Sequence, residues 1–149
     1  MSIEILIFVG LMALGYFAGS AAEKKHFANL VAREKGVFQL ETTNHKRFNA
    51  PDNVAEVQMF TGSAVIAVDY FKVFVAGLMN VFGGEVTTYE SLLDRARREA
   101  TLRLKEQAQE WGADAIYNLR IETANLNSFS KKPPNVEALA YATAVRFQR

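Results

Sequence analysis

Cysteine is absent from the 149 residues, and histidine occurs only as His26 and His45. The first absence excludes a disulfide framework, a thiolate metal site and a cysteine nucleophile. The two histidines lie apart, neither beside a paired acid in sequence, so general acid–base chemistry has no convincing candidate. Nor is there a Ser/His/Asp arrangement, an HExxH, a GxSxG or a nucleotide fingerprint. The chain therefore reads as a protein that is not an enzyme and needs no cofactor. Charge of one sign is scarce as well. Seventeen Lys and Arg against sixteen Asp and Glu leave +1, without the basic excess that nucleic-acid binding uses.

What the chain has in plenty is apolar residues, 50% of the total, and they crowd the start. Residues 3–22 are almost wholly apolar, and the first Lys or Arg is Lys24. About 20 such residues match the hydrocarbon thickness that a helix must cross. Glu4, at the extreme end, can reach the headgroups. The expectation is a transmembrane anchor over residues 1–23. A cleaved signal peptide is the rival, with Ser20-Ala21-Ala22 as a passable cleavage site. Against it, no basic residue precedes the apolar stretch, which is long for a signal sequence. A buried core helix would carry a polar stripe, and this segment has none.

Lys24, Lys25, Arg33 and Lys35 all follow the span. The positive-inside rule then puts the N-terminus outside and the main domain in the cytoplasm, as a single-pass protein of the bacterial cytoplasmic (inner) membrane. Beyond residue 23 the balance is 17 basic to 14 acidic, since Glu4 and Glu23 fall before that point. The small excess lies where anionic headgroups would favour it. Gly15-x-x-x-Gly19, extended by Ala22, places small residues on one helix face, a pattern that lets membrane helices pack closely.

Residues 24–36 keep helical character, with Phe27, Leu30 and Val31 on one side, and read as an amphipathic juxtamembrane helix ending at Gly36. The domain then runs over 37–149. Val37 to Thr43 reads as a short strand. Val54 to Val68 reads as a strand or bent strand pair covered on both faces, with Gly62-Ser63 as a bulge or bend. Tyr70 to Phe82 has helical spacing. Thr87-Thr88-Tyr89-Glu90 has the form of a capping box, and Tyr89, Leu92, Leu93, Ala96, Ala100, Leu104, Ala108 and Trp111 follow on one face of a long helix stopped by Gly112. Asp94 with Arg98, and Arg95 with Glu99, read as pairs four apart on its wet side. Ala115 to Ala124 alternates, with Asn118, Arg120 and Glu122 on one face and Ala115, Tyr117, Leu119 and Ile121 on the other. Asn125 to Asn135 is a polar loop, and Val136 to Phe147 is a last alternating strand. Its small face, Ala138, Ala140, Ala142 and Ala144, calls for a close neighbour, read here as another subunit.

The run Ala76-Gly77-Leu78-Met79-Asn80-Val81-Phe82-Gly83-Gly84-Glu85 is followed by Tyr89 and by Ala96, Arg97, Glu99 and Ala100. Gly112-Ala113-Asp114-Ala115 and Ala140-Tyr141-Ala142-Thr143-Ala144-Val145 complete a set whose order and spacing resemble the YbjQ family, described as heavy-metal-binding proteins. The resemblance covers Val54 to Arg149, with Val37 to Thr43 fitting a first strand. It implies an α+β subunit of dodecin-subunit-like fold, a small antiparallel sheet packed on one long helix, which assembles into a pentamer-based ring. The anchor helix is an addition to that domain. No reaction is implied, and without cysteine the metal description would have to rest on carboxylates repeated around a ring axis.

Candidate sites are few. Gly83-Gly84 before a helix could cradle an anion, but a tight turn is the simpler reading. Glu85 beside Tyr89 could be a ligand or an acid–base pair, and equally a helix-dipole residue. Asn118, Arg120 and Glu122 form a polar strand face that must be solvated, paired or ligand-binding; together with Glu85 they are the candidate ligand residues. The reading is a membrane-anchored, ring-forming assembly or scaffold protein whose partners are its own copies and the bilayer. The alternatives are a metal- or small-ligand-binding module with its site at subunit interfaces, and a pore lined by anchor helices.

Overall fold

A computed structural model describes residues 3–45, 53–67, 88–126 and 135–148. Helix α1 runs unbroken over Ile3–Gly36, 34 residues, so the expected anchor and juxtamembrane helix are one rod. No described residue before Leu30 is buried, and Ile3, Leu14 and Phe17 are each more than two-thirds exposed. By length and composition this helix can cross a membrane. Helix α2 spans Thr88–Trp111. It ends in a Schellman closure: Ala113 N–H donates to Ala108 O, Gly112 N–H donates to Gln109 O, and Gly112 has φ +88°.

The sheet has the order β1-β3-β4-β2, from Glu41–Thr42, Ala115–Asn125, Asn135–Phe147 and Val54–Ala67 respectively. β4 pairs antiparallel with β2 and β3, whereas β1 pairs parallel with β3, so the sheet is mixed. The expected strand over Val37 to Thr43 shrinks to two residues. Val37 and Leu40 continue the helix exit through turns closed on Glu34 O and Val37 O, because Val37 is drawn into a small core with Leu30 and Leu102. The expected helix over Tyr70 to Phe82, the Gly83-Gly84 turn and Glu85 lie outside the described residues.

One principal core joins α2 to the sheet. Leu92, Ala96, Ala100, Leu104 and Ala108 of α2 meet Ala64, Ile116, Val136 and the four alanines of β4. Ala138, Ala140, Ala142 and Ala144 do have a close neighbour, but it is the chain's own helix, which leaves them no surface for a second subunit. Gly62 is not a bulge either. It pairs in register with Ala140, and a Cβ there would strike Ala100 O and lie 2.7 Å from Leu104 N. Alanine opposite glycine is thus what lets the α2 backbone approach the sheet. Two α2 side chains also reach β2 at the open sheet edge: Arg103 Nη1 donates to Ser63 O (2.8 Å) and Gln107 Nε2 to Thr61 O (3.1 Å). Carbonyls of an edge strand are thereby occupied.

Among the described residues β2 is covered on one face, where the sequence suggested two. Val57, Met59 and Val65 point away from α2 and are each more than half exposed, with Leu139 of β4 beside them at 40%. A further departure lies in β3. Tyr117 pairs with Thr143 and Arg120 with Tyr141, so Asn118 and Leu119 together face one residue of β4. Asn118 sits at φ +55°, the left-handed conformation that asparagine tolerates best after glycine. The bulge reverses the alternation halfway: Ala115 and Tyr117 face away from α2, while Ile121, paired with Ala140, faces it. Asn118→Val should cost about 2 kcal/mol and Asn118→Gly nearly nothing. Thermal denaturation of the two variants distinguishes a strained bulge from an ordinary strand position.

Candidate functional site

The functional geometry begins at the seam between the two helices. On α1, Glu23, Phe27, Leu30, Arg33 and Glu34 recur at helical spacing and face α2, whose matching stripe is Arg95, Arg98, Glu99, Leu102 and Glu106. Arg33 makes a fork onto Glu106, with Nε–Oε1 2.8 Å and Nη2–Oε2 2.6 Å, and its Nη1 donates to both Glu99 oxygens at 3.1 and 3.2 Å. Arg98 makes a second fork onto Glu34, at 3.0 and 2.8 Å. Arg95 Nη1 reaches Glu23 at 3.7 Å. The Arg95 and Arg98 guanidiniums both lie over the Phe27 ring, 5.7 and 5.8 Å from its centroid. Such planar, bidentate contacts fix direction as well as distance.

Glu99 is the centre of this network, with its side chain only 6% exposed. Burial alone would raise its pKa, but hydrogen bonds from Arg103 (Nε, 2.8 Å) and Arg33 outweigh it and hold the carboxylate below its ordinary range. Arg33 and Arg98 are pushed above the ordinary arginine value, chiefly by their bonds to Glu106 and Glu34. The charges read as local pairs on a wet helix face are therefore long-range. Arg98 serves Glu34, Arg95 serves Glu23, and Glu99 is buried against α1. A helix surface leaves i,i+4 partners free to meet, but a second helix laid over them offers better geometry and lower dielectric.

Beside the seam an open cleft of about 690 Å3 lies between α2, β1 and the exit of α1. Arg97, Thr101 and Lys105 line one wall and Glu41 and Thr42 the other, with Phe38 almost fully exposed at the rim. The sequence candidates lie elsewhere. Arg120 and Glu122 share the sheet face turned from α2, the same side as Tyr117. Asn118 sits in the bulge, where its Oδ1 accepts from Arg120 Nε at 3.1 Å. Glu122 is exposed. Two members of the trio, Asn118 and Arg120, are thus joined by a hydrogen bond. On α1, Gly15 and Gly19 are half-buried and Ala22 is exposed. Trp111 packs on Phe60, with centroids 5.7 Å apart, under Arg146.

These features define an α+β domain, one helix on a four-stranded mixed sheet, that carries a long apolar N-terminal helix. Residues 41–148 match the family described as "Putative heavy-metal-binding", the YbjQ family, and the chain belongs to it. Several relatives are named as UPF0145 proteins. That of Methanosarcina acetivorans is 39% identical over 88 residues, 59% of this chain and 78% of its own. That of Natronomonas pharaonis is 31% identical over 109 residues, 73% of this chain and 100% of its own. The Hahella chejuensis protein is 35% identical over 103 residues, 69% and 94%. A solved structure of a protein of unknown function from the DUF74 family of Pediococcus pentosaceus is 17% identical, covers 73% of this chain and 98% of its own, and has a TM-score of 0.42. All of α1 precedes the family match.

The family description points to a metal, and the residues do not fit a soft one. Heavy-metal ions favour thiolate and imidazole donors. The chain has no cysteine, His26 has a buried Nδ1 without a partner, and His45 lies exposed beyond β1. Among the described residues no three His, Asp or Glu side chains come together as ligands.

Proposed function

We propose that this protein is a membrane-anchored, homo-oligomeric scaffold, held by α1 with its YbjQ domain on the cytoplasmic side, and that its work is assembly rather than catalysis. One observation carries the reading. α1 is a single rod whose first part is apolar and exposed while its last part is bolted to α2 by two arginine forks. An anchor joined in this way holds the domain at a set height and orientation, which clustering requires and a flexible tether would not supply. The exposed apolar row Val57, Met59, Val65 and Leu139 is the surface on which copies would meet, in a ring of pentamer type with several anchors adding by avidity. The full-length protein should resist carbonate extraction from membranes and give a multiple of the subunit mass in detergent by light scattering. Met59→Glu with Val65→Glu should reduce it to one subunit without lowering its melting temperature. A monomer at micromolar concentration in the parent would sink the assembly reading.

A second reading rests on the cleft beside β1: a module for a small ligand, with copies completing the site. Calorimetric titration with divalent cations and small anions separates the two, since a scaffold alone gives no heat.

A further inference from the structure

We infer that the α1–α2 junction is a binding surface for anionic phospholipid headgroups, an inference that rests on the anchored reading above. The apolar part of α1 ends at Ala22, and Lys24 and Lys25 follow Glu23 directly. The sequence alone thus places two cations where the helix leaves the bilayer. The structure adds a second set from a distant part of the chain. Arg95 is tied to Glu23 and, with Arg98, is stacked on Phe27, so this stretch of α2 is level with the membrane exit of α1. Arg97 and Arg98 stand two and three positions further on, about 3–5 Å along the axis at 1.5 Å per residue. A headgroup layer is about 5–7 Å deep on each side of the hydrocarbon. All five cations therefore fall within one headgroup layer.

At this height the acids are Glu23, Asp94 and Glu99, the last held by Arg33 and Arg103. Glu23 is engaged with Arg95, and Arg98 is engaged with Glu34 from further along α1. Lys24, Lys25 and Arg97 are exposed and form no ion pair among the described residues. They are the cations left for a ligand, while Arg95 and Arg98 hold the two helices at the height that makes a common surface. A lipid is the occupant because the apolar face of α1 begins within one helical turn of these groups. An anion bound here has its acyl chains alongside Gly19 and Ala22. The ligand class is a phosphate diester headgroup of net negative charge, recognised by charge and by height.

The test uses the full-length protein reconstituted in vesicles of equal phosphatidylcholine and phosphatidylglycerol, then released in mild detergent for native mass spectrometry. Retained lipid should be enriched in phosphatidylglycerol by about threefold or more over the vesicle ratio, on the scale of a few basic residues near an anionic surface. Lys24→Gln with Lys25→Gln and Arg97→Gln should return it to the vesicle ratio, whereas Lys35→Gln, farther along α1, should not. A parent that retains both lipids at the vesicle ratio overturns the inference, as does a triple variant that keeps the enrichment. Carbonate extraction of the same membranes separates the causes. Protein that stays in the membrane without enrichment loses only the headgroup surface, and protein that leaves it loses the anchor too.

Discussion

Gly62→Ala is expected to destabilise the domain by about 3 kcal/mol or more, a fall in melting temperature on the order of 10 °C. The methyl group would meet Ala100 O and Leu104 N, both backbone atoms of α2, and neither can swing aside as a side chain could. Relief requires lifting the helix from β2 and β4. That would open the contacts of Ala96, Ala100, Ala108 and the β4 alanines, which are each buried to within 3% of fully. Small residues give little area individually, so their worth depends on close approach. Gly36→Ala is the control, since a Cβ there meets nothing within 4 Å, and it should leave stability within about 0.5 kcal/mol of the parent. Circular dichroism melts of the two variants in detergent decide the point. A Gly62→Ala protein melting with the parent would mean that α2 does not seat on the sheet as described.

Glu99→Ala should cost about 2 kcal/mol. It leaves Arg33 and Arg103 facing a seam built around a carboxylate, although Arg33 keeps its fork to Glu106 and both arginines retain solvent contact. The same residue gives the seam a pH dependence of defined sign. Its folded pKa is depressed below the ordinary value of 4.5, so the unfolded chain takes up the proton first. The stabilisation is fully present above that value and is lost as the pH falls through the lower, folded one. Melting temperatures followed from neutral pH into the acid range should fall more steeply for the parent than for Glu99→Gln, which has no carboxylate at that position to protonate. Parallel curves would remove Glu99 from the seam.

Several features were legible in the residues. The apolar run ending before Lys24, the helix stripe from Leu92 to Trp111 with Gly112 behind it, and the alternation of β4 are local patterns with local causes. The family resemblance rests on the same stretches. Other features were out of reach. Alternation shows that β4 has a small face and a large one, but not that the small face takes the chain's own helix. That follows from Gly62, which α2 meets at Ala100, Arg103 and Leu104, far along the chain. The bulge at Asn118 is a slip of one residue, and asparagine in a strand pattern is its only trace; reading through it put Leu119 and Ile121 on the same face as Tyr117.

The charges make the division plainest. The sequence by itself determined that α2 is a helix carrying acids and bases outside its core stripe, because periodicity and caps act within a few residues. It could not determine their partners. Arg98 has Asp94 four places away and Glu34 sixty-four places away, and it bonds the distant one. Only the tertiary structure decided that, by laying α1 along α2 so that a fork too distant to read in sequence became better formed and less hydrated than the pair beside it.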